Sequence, residues 1–305
     1  MTRKMKTALV LGGGGARGLS HLGVLKVLEQ ENRLPDMIVG CSMGSVIGAM
    51  YAQLGSTKAV EEKLRRFFAS EAYIDLNVDL LERHRNGEES KDFIQQIARN
   101  AVRRVMINLV ASRVSILKEE QVERVVNALI EPGKIEDTKI PFACNATDLV
   151  SGQAVLFRDG DIRKAVKASS SIPGYLPPVV IDNQVLVDGA VTDSVPTRFA
   201  RILGADRIIA VDVRQNLKPQ KEFRNVFDVV MRAATVTSNR LTEETSDLAD
   251  LTIYPAVGDY MWYDFRDIDL LIKAGEDATH LQWEQLNRLL TPPKKSFWRK
   301  IFGKN

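Results

Sequence analysis

Residues 6–55 read KTALVLGGGGARGLSHLGVLKVLEQENRLPDMIVGCSMGSVIGAMYAQLG. Residues 6–11 form a short apolar run of strand type that enters a glycine cluster, and His21 to Glu31 sets Leu22, Val24, Leu25 and Leu28 in a helical pattern. Pro35 and Asp36 then mark a turn, Met37 to Val39 a second strand, and Met43 to Leu54 a second helix closed by Gly55. Strand, loop, helix, strand, turn and helix within ~55 residues open an α/β sheet.

The rest of the chain extends that frame. From Thr57 to about residue 130 the pattern is mostly helical, with an arginine-rich stretch at 83–113 that reads either as a cover or as a solvated face. Strand signals return at IPFACNA from Ile140 and at QAVLF, followed by a helix at 161–169. VVIDNQVLV reads as a hairpin turning at Asp182–Asn183, RIIAVDV and LTIYP as further strands, and 222–246 and 267–290 as helices. No internal repeat or low-complexity linker interrupts this order. The expected organisation is one α/β domain over 5–290 with a helical insertion near 57–130 and a basic tail at 291–305.

Composition narrows the function classes. The 305 residues are 45% hydrophobic and 27% charged, enough for a sizeable core. No apolar run reaches the ~20 residues that span a bilayer. The glycines interrupt the first apolar run after five residues, so it reads as a strand and not as a secretory signal. Two cysteines, Cys41 and Cys144, provide neither a disulfide framework nor a four-cysteine zinc site, and point to a reduced, intracellular setting. Net charge is +3, but residues 291–305 hold Lys294, Lys295, Arg299, Lys300 and Lys304 with no acid. Without those five the remainder has 37 basic against 39 acidic residues, a balance of −2. A mildly acidic body is not the footprint of a nucleic-acid-binding domain.

Two glycine-bearing turns carry the chemistry. Gly12 to Gly18 stands where a strand hands over to a helix and can converge backbone N–H groups on an anion. Gly13, Gly15 and Gly18 fit the dinucleotide fingerprint, but the position after the second strand is Gly40 and not an acid, and no Gly-Lys-Ser/Thr follows for a Walker loop. Gly40-Cys41-Ser42-Met43-Gly44 is a G-x-S-x-G elbow in its proper strand-to-helix context, with the helix N-terminus beside the hydroxyl. A serine attacking an acyl carbonyl generates an oxyanion, for which the glycine loop can supply donors. The expected donors lie among Gly13, Gly14 and Gly15, with Arg17 shaping the loop or raising its positive potential.

Ser42 needs a base, and several groups compete. The histidines are His21, His84 and His280. Ser42, Asp188 and His280 follow the Ser…Asp…His order of α/β-hydrolases, yet His280 falls inside a predicted helix. Asp188 ends the apolar strand Val185-Leu186-Val187 and precedes Gly189-Ala190, so it sits at a strand end. An Asp with its ordinary pKa near 3.9 is a weak base, and partial burial would raise it. Asp188-Gly189 could equally be a plain turn. Asp148 and Asp212 are further carboxylates with simpler places in a turn or a strand end.

These residues resemble the patatin-like phospholipase family, especially its small single-domain bacterial members. Gly13-Gly14-Gly15-Ala16-Arg17-Gly18 resembles the family's oxyanion loop and Gly40-Cys41-Ser42-Met43-Gly44 its nucleophile elbow. Ala168 to Pro178 resembles a pocket-shaping block, Ala146-Thr147-Asp148-Leu149 with Gly152 another family segment, and Asp188-Gly189-Ala190 the catalytic Asp-Gly motif. The resemblance spans about residues 6–215. It implies a three-layer α/β/α fold around a mostly parallel sheet and a Ser–Asp dyad, with Ser42 as nucleophile and Asp188 as base. It further implies hydrolysis of acyl esters of phospholipids, lysophospholipids or neutral glycerolipids with no metal or cofactor. A non-hydrolytic scaffold that keeps the fold and an intracellular esterase for small soluble esters are the alternatives.

A lipid substrate implies contact with an aggregate surface. The tail interleaves Phe297, Trp298, Ile301 and Phe302 with its basic residues, a pattern suited to anionic lipid. The expectation is therefore a cytoplasmic protein, peripheral on the inner face of the membrane, with no nucleic-acid partner.

Overall fold

The computed structural model describes residues 5–76, 114–223, 226–245 and 248–291. The whole arginine-rich stretch at 83–113, with His84 in it, and the tail from 292 onward lie outside the described residues.

The opening elements fall where the sequence places them. β1 is Thr7–Leu11, followed by a 3₁₀ turn at Gly15–Leu19, α1 at Ser20–Gln30, β2 at Met37–Gly40 and α2 at Met43–Leu54. Gly55 closes α2 in the left-handed region, φ 69°. The insertion contributes α3 (Thr57–Phe68), α4 (Glu71–Ile74) and α5 (Glu119–Leu129). Then come β3 (Phe142–Asp148), β4 (Ala154–Phe157), α6 (Ile162–Ser169), β5 (Val179–Ile181) and β6 (Gln184–Asp188). Asp182 and Asn183 both take positive φ, the condition for a tight hairpin turn between β5 and β6. α7 (Thr197–Ile202), β7 (Arg207–Val211), α8 (Val226–Thr245) and β8 (Leu251–Ile253) follow. The helix expected over 267–290 is two, α9 (Ile268–Leu281) and α10 (Trp283–Leu290), separated at Gln282.

These elements form three layers, α/β/α, around an eight-stranded sheet ordered β5-β6-β3-β2-β1-β7-β8, with β4 paired to β3. The sheet is mixed: β3, β2, β1, β7 and β8 are mutually parallel, whereas β4, β5 and β6 join by antiparallel pairings. Strand alternation builds a core on each face. Leu9, Leu11, Ile38, Ile209 and Val211 enter the larger core with α1, α2, α3 and α9. Ala8, Val10, Val39, Ile208 and Ala210 enter the smaller one, against Phe199 and Ala200 of α7. Among the described residues no helix is long and apolar enough to cross a membrane.

β3 brings two strand ends together. Cys144 lies opposite both Gly40 of β2 and Phe157 of β4, and Ala146 lies opposite both Asp188 of β6 and Val155 of β4. β4 therefore lines one edge of β3, while β2 and β6 share the other. β2 runs parallel to β3 and stops level with Cys144. β6 runs antiparallel and stops level with Ala146. The two strands meet end to end with only Asn145 between their levels.

α1 and α9 pack in backbone contact at Gly23 and Gly275. A Cβ at Gly23 would stand 2.0 Å from Ile272 O, and one at Gly275 would stand 1.9 Å from Ser20 O. Gly23→Ala gains about 1 kcal/mol of helix propensity. It meets main chain that cannot step aside, for which overpacking costs about 1–3 kcal/mol or more. The expected outcome is a net loss of about 1–2 kcal/mol in urea denaturation; an unchanged midpoint would mean that the helices separate at no cost.

Candidate active site

The elbow is built by strain and close approach. Ser42 takes φ 51° and ψ −124°, a conformation that a non-glycine residue seldom adopts, directly between β2 and α2. Gly44 makes the turn possible, since a Cβ there would stand 2.1 Å from Leu11 O. Three serines hold the strained peptide. Ser42 N–H donates to Ser169 Oγ at 3.0 Å, Ser45 Oγ donates to Ser42 O at 2.7 Å, and Ser170 Oγ approaches the same carbonyl at 3.4 Å. The block from Ala168 thus braces the elbow from behind.

Asp188 arrives from β6. Ser42 Oγ donates to Asp188 Oδ2 at 2.6 Å, the range of a charge-assisted O–H···O bond. Asp188 Oδ1 accepts Ala190 N–H at 2.8 Å, so Gly189 and Ala190 form the turn that orients the carboxylate. Both residues are nearly covered, Ser42 5% exposed and Asp188 4%. Burial pushes Asp188 up to about 6, opposed by hydrogen bonds from Ser42 and Ala190. At neutral pH the group is mostly carboxylate, and far more basic than an Asp in water.

Asn145 fills the gap between the strand ends. Its Nδ2 donates to Asp193 O at 2.9 Å and to Gly189 O at 3.3 Å. The polar residue inside the otherwise apolar strand IPFACNA was the available sequence signal for this role. Asp193 is a second buried carboxylate nearby, also pushed up to about 6 by burial, with Arg198 opposing. Its Oδ2 has no hydrogen-bond partner among the described residues.

The glycine loop lies against the elbow. A Cβ at Gly13 would be 3.3 Å from Ser42 Cβ and 3.4 Å from Ala190 Cβ. Gly13 N–H, however, already donates to Ser194 O at 2.9 Å, which removes it from the expected oxyanion donors. The Gly14 amide has no protein acceptor among the described residues. Gly15 takes φ 58°, and a Cβ there would stand 2.2 Å from Trp262 O. Nothing in the sequence marks Trp262 as a neighbour of this loop. Gly18 packs on Met43, and Gly40 packs on the Gly44 carbonyl.

Two basic side chains hold the loop in place. Arg17 Nε donates to Val213 O at 2.8 Å and Nη1 to Tyr260 O at 2.9 Å. Burial lowers Arg17 to about 10, with Asp212 opposing, so it stays cationic; of the two roles expected for it, these bonds fit shaping the loop. His21 is fully buried, and its Nε2 donates to Gly12 O at 2.8 Å. Burial lowers it to about 4, so it is neutral and its Nε2 carries the proton. The peptide between Gly12 and Gly13 is thereby held at both ends, its carbonyl by His21 and its N–H by Ser194.

The other candidates stand elsewhere. His280 is exposed on α9. Asp148 accepts from Val150, Ser151 and Val185 and closes the turn after β3. Asp212 pairs with Arg214 Nε at 2.8 Å. Among the described residues no group of three or more His, Cys, Asp or Glu is placed to hold a metal ion.

Comparison with known proteins places this geometry. A family model described as patatin-like phospholipase matches residues 9–201, which include Ser42 and Asp188. "Patatin-like phospholipase domain-containing protein 6" of mouse is 31% identical over 208 residues, 68% of this chain and 13% of that protein. "Lysophospholipase NTE1" of Mycosarcoma maydis is 30% identical over 209 residues, 68% of this chain and 10% of that protein. The protein of the same name from Debaryomyces hansenii is 26% identical across 93% of this chain and 18% of its own length. The chain thus spans less than a fifth of each of these relatives. The expected likeness to small single-domain bacterial members is overturned, because these relatives are long animal and fungal proteins. The motifs that suggested it all lie in the shared region and carry no information on the length or source of their bearer. With the family model covering more than half of its residues, the chain belongs to the patatin-like phospholipase family.

Proposed function

We propose that the chain hydrolyses carboxylic esters of phospholipids, lysophospholipids or related acylglycerols, with Ser42 as nucleophile and Asp188 as general base. The observation that carries this reading is the 2.6 Å bond from Ser42 Oγ to Asp188 Oδ2 in a nearly water-free setting. Family membership supports the ester chemistry, and the names of the fungal relatives support a lysophospholipid among the substrates.

In the proposed cycle Asp188 takes the proton as Ser42 Oγ bonds to the ester carbonyl carbon. The negative charge that forms on the carbonyl oxygen meets the Gly14 and Gly15 amides and the N-terminal end of α2. The ester C–O bond breaks, and protonated Asp188 gives its proton to the leaving alkoxide. Water then loses a proton to Asp188 and attacks the acyl-serine, and the carboxylic acid departs as Ser42 recovers its hydrogen. We assign the catalytic domain to 5–290 and a contact with anionic lipid to the tail at 291–305, at the cytoplasmic face of a membrane.

Ser42→Ala and Asp188→Ala each lower ester turnover by roughly a thousandfold or more, while His280→Ala retains it. A fluorophosphonate probe labels the wild type and not Ser42→Ala. A folded His280→Ala without activity, or labelling that survives the loss of Ser42, would remove the dyad. A panel of headgroups and chain lengths, including short soluble esters, then separates a lipid hydrolase from a small-ester esterase.

The base must be unprotonated in the free enzyme, so kcat/KM is expected to rise as pH increases through about 6. Asp193 titrates in the same range, so the control is Asp193→Asn, which should keep the rise. A profile flat from pH 5 to 8 would contradict a buried carboxylate base.

The same shift has a stability consequence. Because folded Asp188 holds its proton more tightly than an unfolded Asp, native stability falls as pH rises from about 4 through about 6. The loss amounts to about 2–3 kcal/mol. Asp188→Asn, inactive, is therefore expected to melt above the wild type at pH 7–8, and the difference to close below pH 4. A melting temperature lower at every pH would mean that the carboxylate does not destabilise the fold.

A further inference from the structure

α8 turns its polar side inward and its apolar side out. Ser238, Asn239 and Thr242 face the body of the protein: Ser238 Oγ donates to Ala190 O at 3.2 Å, Asn239 Nδ2 donates to Gln215 O at 2.9 Å, and Thr242 is buried. The opposite face carries Val226 (79% exposed), Val229 (50%), Val230 (57%) and Val236 (38%), with exposed Ala233 among them. At 100° per residue these five fall within one stripe about 120° wide. A soluble surface helix has the reverse arrangement.

The helix that carries this stripe lies beside the site. Ser238 grips Ala190, the residue whose N–H orients Asp188. Near the start of the helix, the Asp228 carboxylate acts on the Tyr175 phenol. The Tyr175 ring packs edge-on against Trp262 at 4.6 Å, and the Trp262 carbonyl accepts the Ala16 N–H of the glycine loop. Phe223 and Leu217 are likewise exposed, on the segment that precedes the helix.

We propose that the Val226–Val236 face of α8 is the surface on which the protein seats itself at a lipid–water interface, with the site mouth turned toward the acyl chains. This rests on the ester-hydrolase reading above and adds where its substrate phase is met. The chemistry of the stripe selects lipid over a protein partner. Protein interfaces draw most of their energy from Trp, Tyr and Arg anchors in shaped pockets, whereas this stripe offers only Val and Ala, with Phe223 before it. An acyl boundary needs only apolar area. Of the flanking cations, Arg214, Lys218 and Arg240 pair with Asp212, Asp259 and Glu243, and Arg232 donates to the Lys218 carbonyl, so attraction to charge is secondary here.

The test uses phosphatidylcholine vesicles, with binding measured in a Ser42→Ala background so that turnover plays no part. Val229→Asp with Val230→Asp is expected to weaken vesicle binding by roughly tenfold or more. In the enzyme carrying Ser42, vesicle hydrolysis should fall in parallel while turnover of a soluble short-chain ester is unchanged. Val229→Leu with Val230→Leu, which extends the apolar area, should strengthen vesicle binding a few-fold, and added salt should alter it little. Undiminished binding in the Asp variant, or no vesicle binding by the parent protein, overturns the proposal. So does a parent that sediments as a dimer while the Asp variant sediments as a monomer with vesicle binding intact, because a second copy then covers the stripe. Vesicle binding that the Asp variant loses, in a protein that hydrolyses neither ester, supports the surface and removes the hydrolase reading instead.

Discussion

The meeting of two strand ends along one edge of β3 is the constraint on which the rest of the molecule depends. Parallel β2 and antiparallel β6 cannot both continue along that edge, so each stops, one at Gly40 and the other at Asp188. The chain leaving β2 must turn out of the sheet at once, which throws Ser42 into the left-handed region and starts α2. The chain leaving β6 turns through Gly189 and Ala190, and its last carboxylate faces the space that β2 vacated. A mixed sheet thus supplies what a purely parallel one would lack, a carboxylate entering head-on toward the elbow.

Holding the pair dry has an energetic cost, and the neighbouring elements are arranged to bear it. Burial raises Asp188 toward neutral pH, and the hydrogen bonds from Ser42 and Ala190 keep it from rising further. Ser169 Oγ satisfies the Ser42 N–H, which would otherwise be left unpaired at about 1–3 kcal/mol, and Ser45 Oγ adds to the backbone N–H groups that the Ser42 carbonyl already accepts. His21 and Ser194 clamp the Gly12–Gly13 peptide, so the loop cannot turn that plane over. Arg17 ties the same loop to the segments that follow β7 and β8. None of these braces is Ser42 or Asp188, yet each limits where the side chains of that pair can go.

Most of the fold was legible because its signals are local. The short apolar runs ALVL and MIVG, the glycine after Leu54 and the Asp182–Asn183 turn each report on a few neighbouring residues. The elbow was legible for the same reason, since five consecutive residues specify it. Asp188 was only partly legible from its neighbours: its strand-end position nominated it, but a strand-end Asp-Gly looks the same in a turn, its place opposite Ala146 is a matter of long-range register, and family resemblance singled it out. The loss of Gly13 as a donor was likewise hidden, as it depends on a carbonyl at Ser194. Asn145 could have been suspected, whereas nothing local distinguishes Trp262 or separates α9 from α10 at Gln282.

The ties of the glycine loop also bear on how the protein is made. β1 lies between β2 and β7, Arg17 reaches Val213 and Tyr260, and α1 packs on α9. The β1–α1 segment therefore meets β2 early in synthesis, but β7, α9 and the anchors of Arg17 only after about two hundred further residues have been added. Until then an apolar strand and helix must be kept from wrong associations, and loop closure over such separations is slow. The nascent β1–α1 segment is a natural client for a holding chaperone, and the hydroxyl of the elbow acquires its finished surroundings late in synthesis.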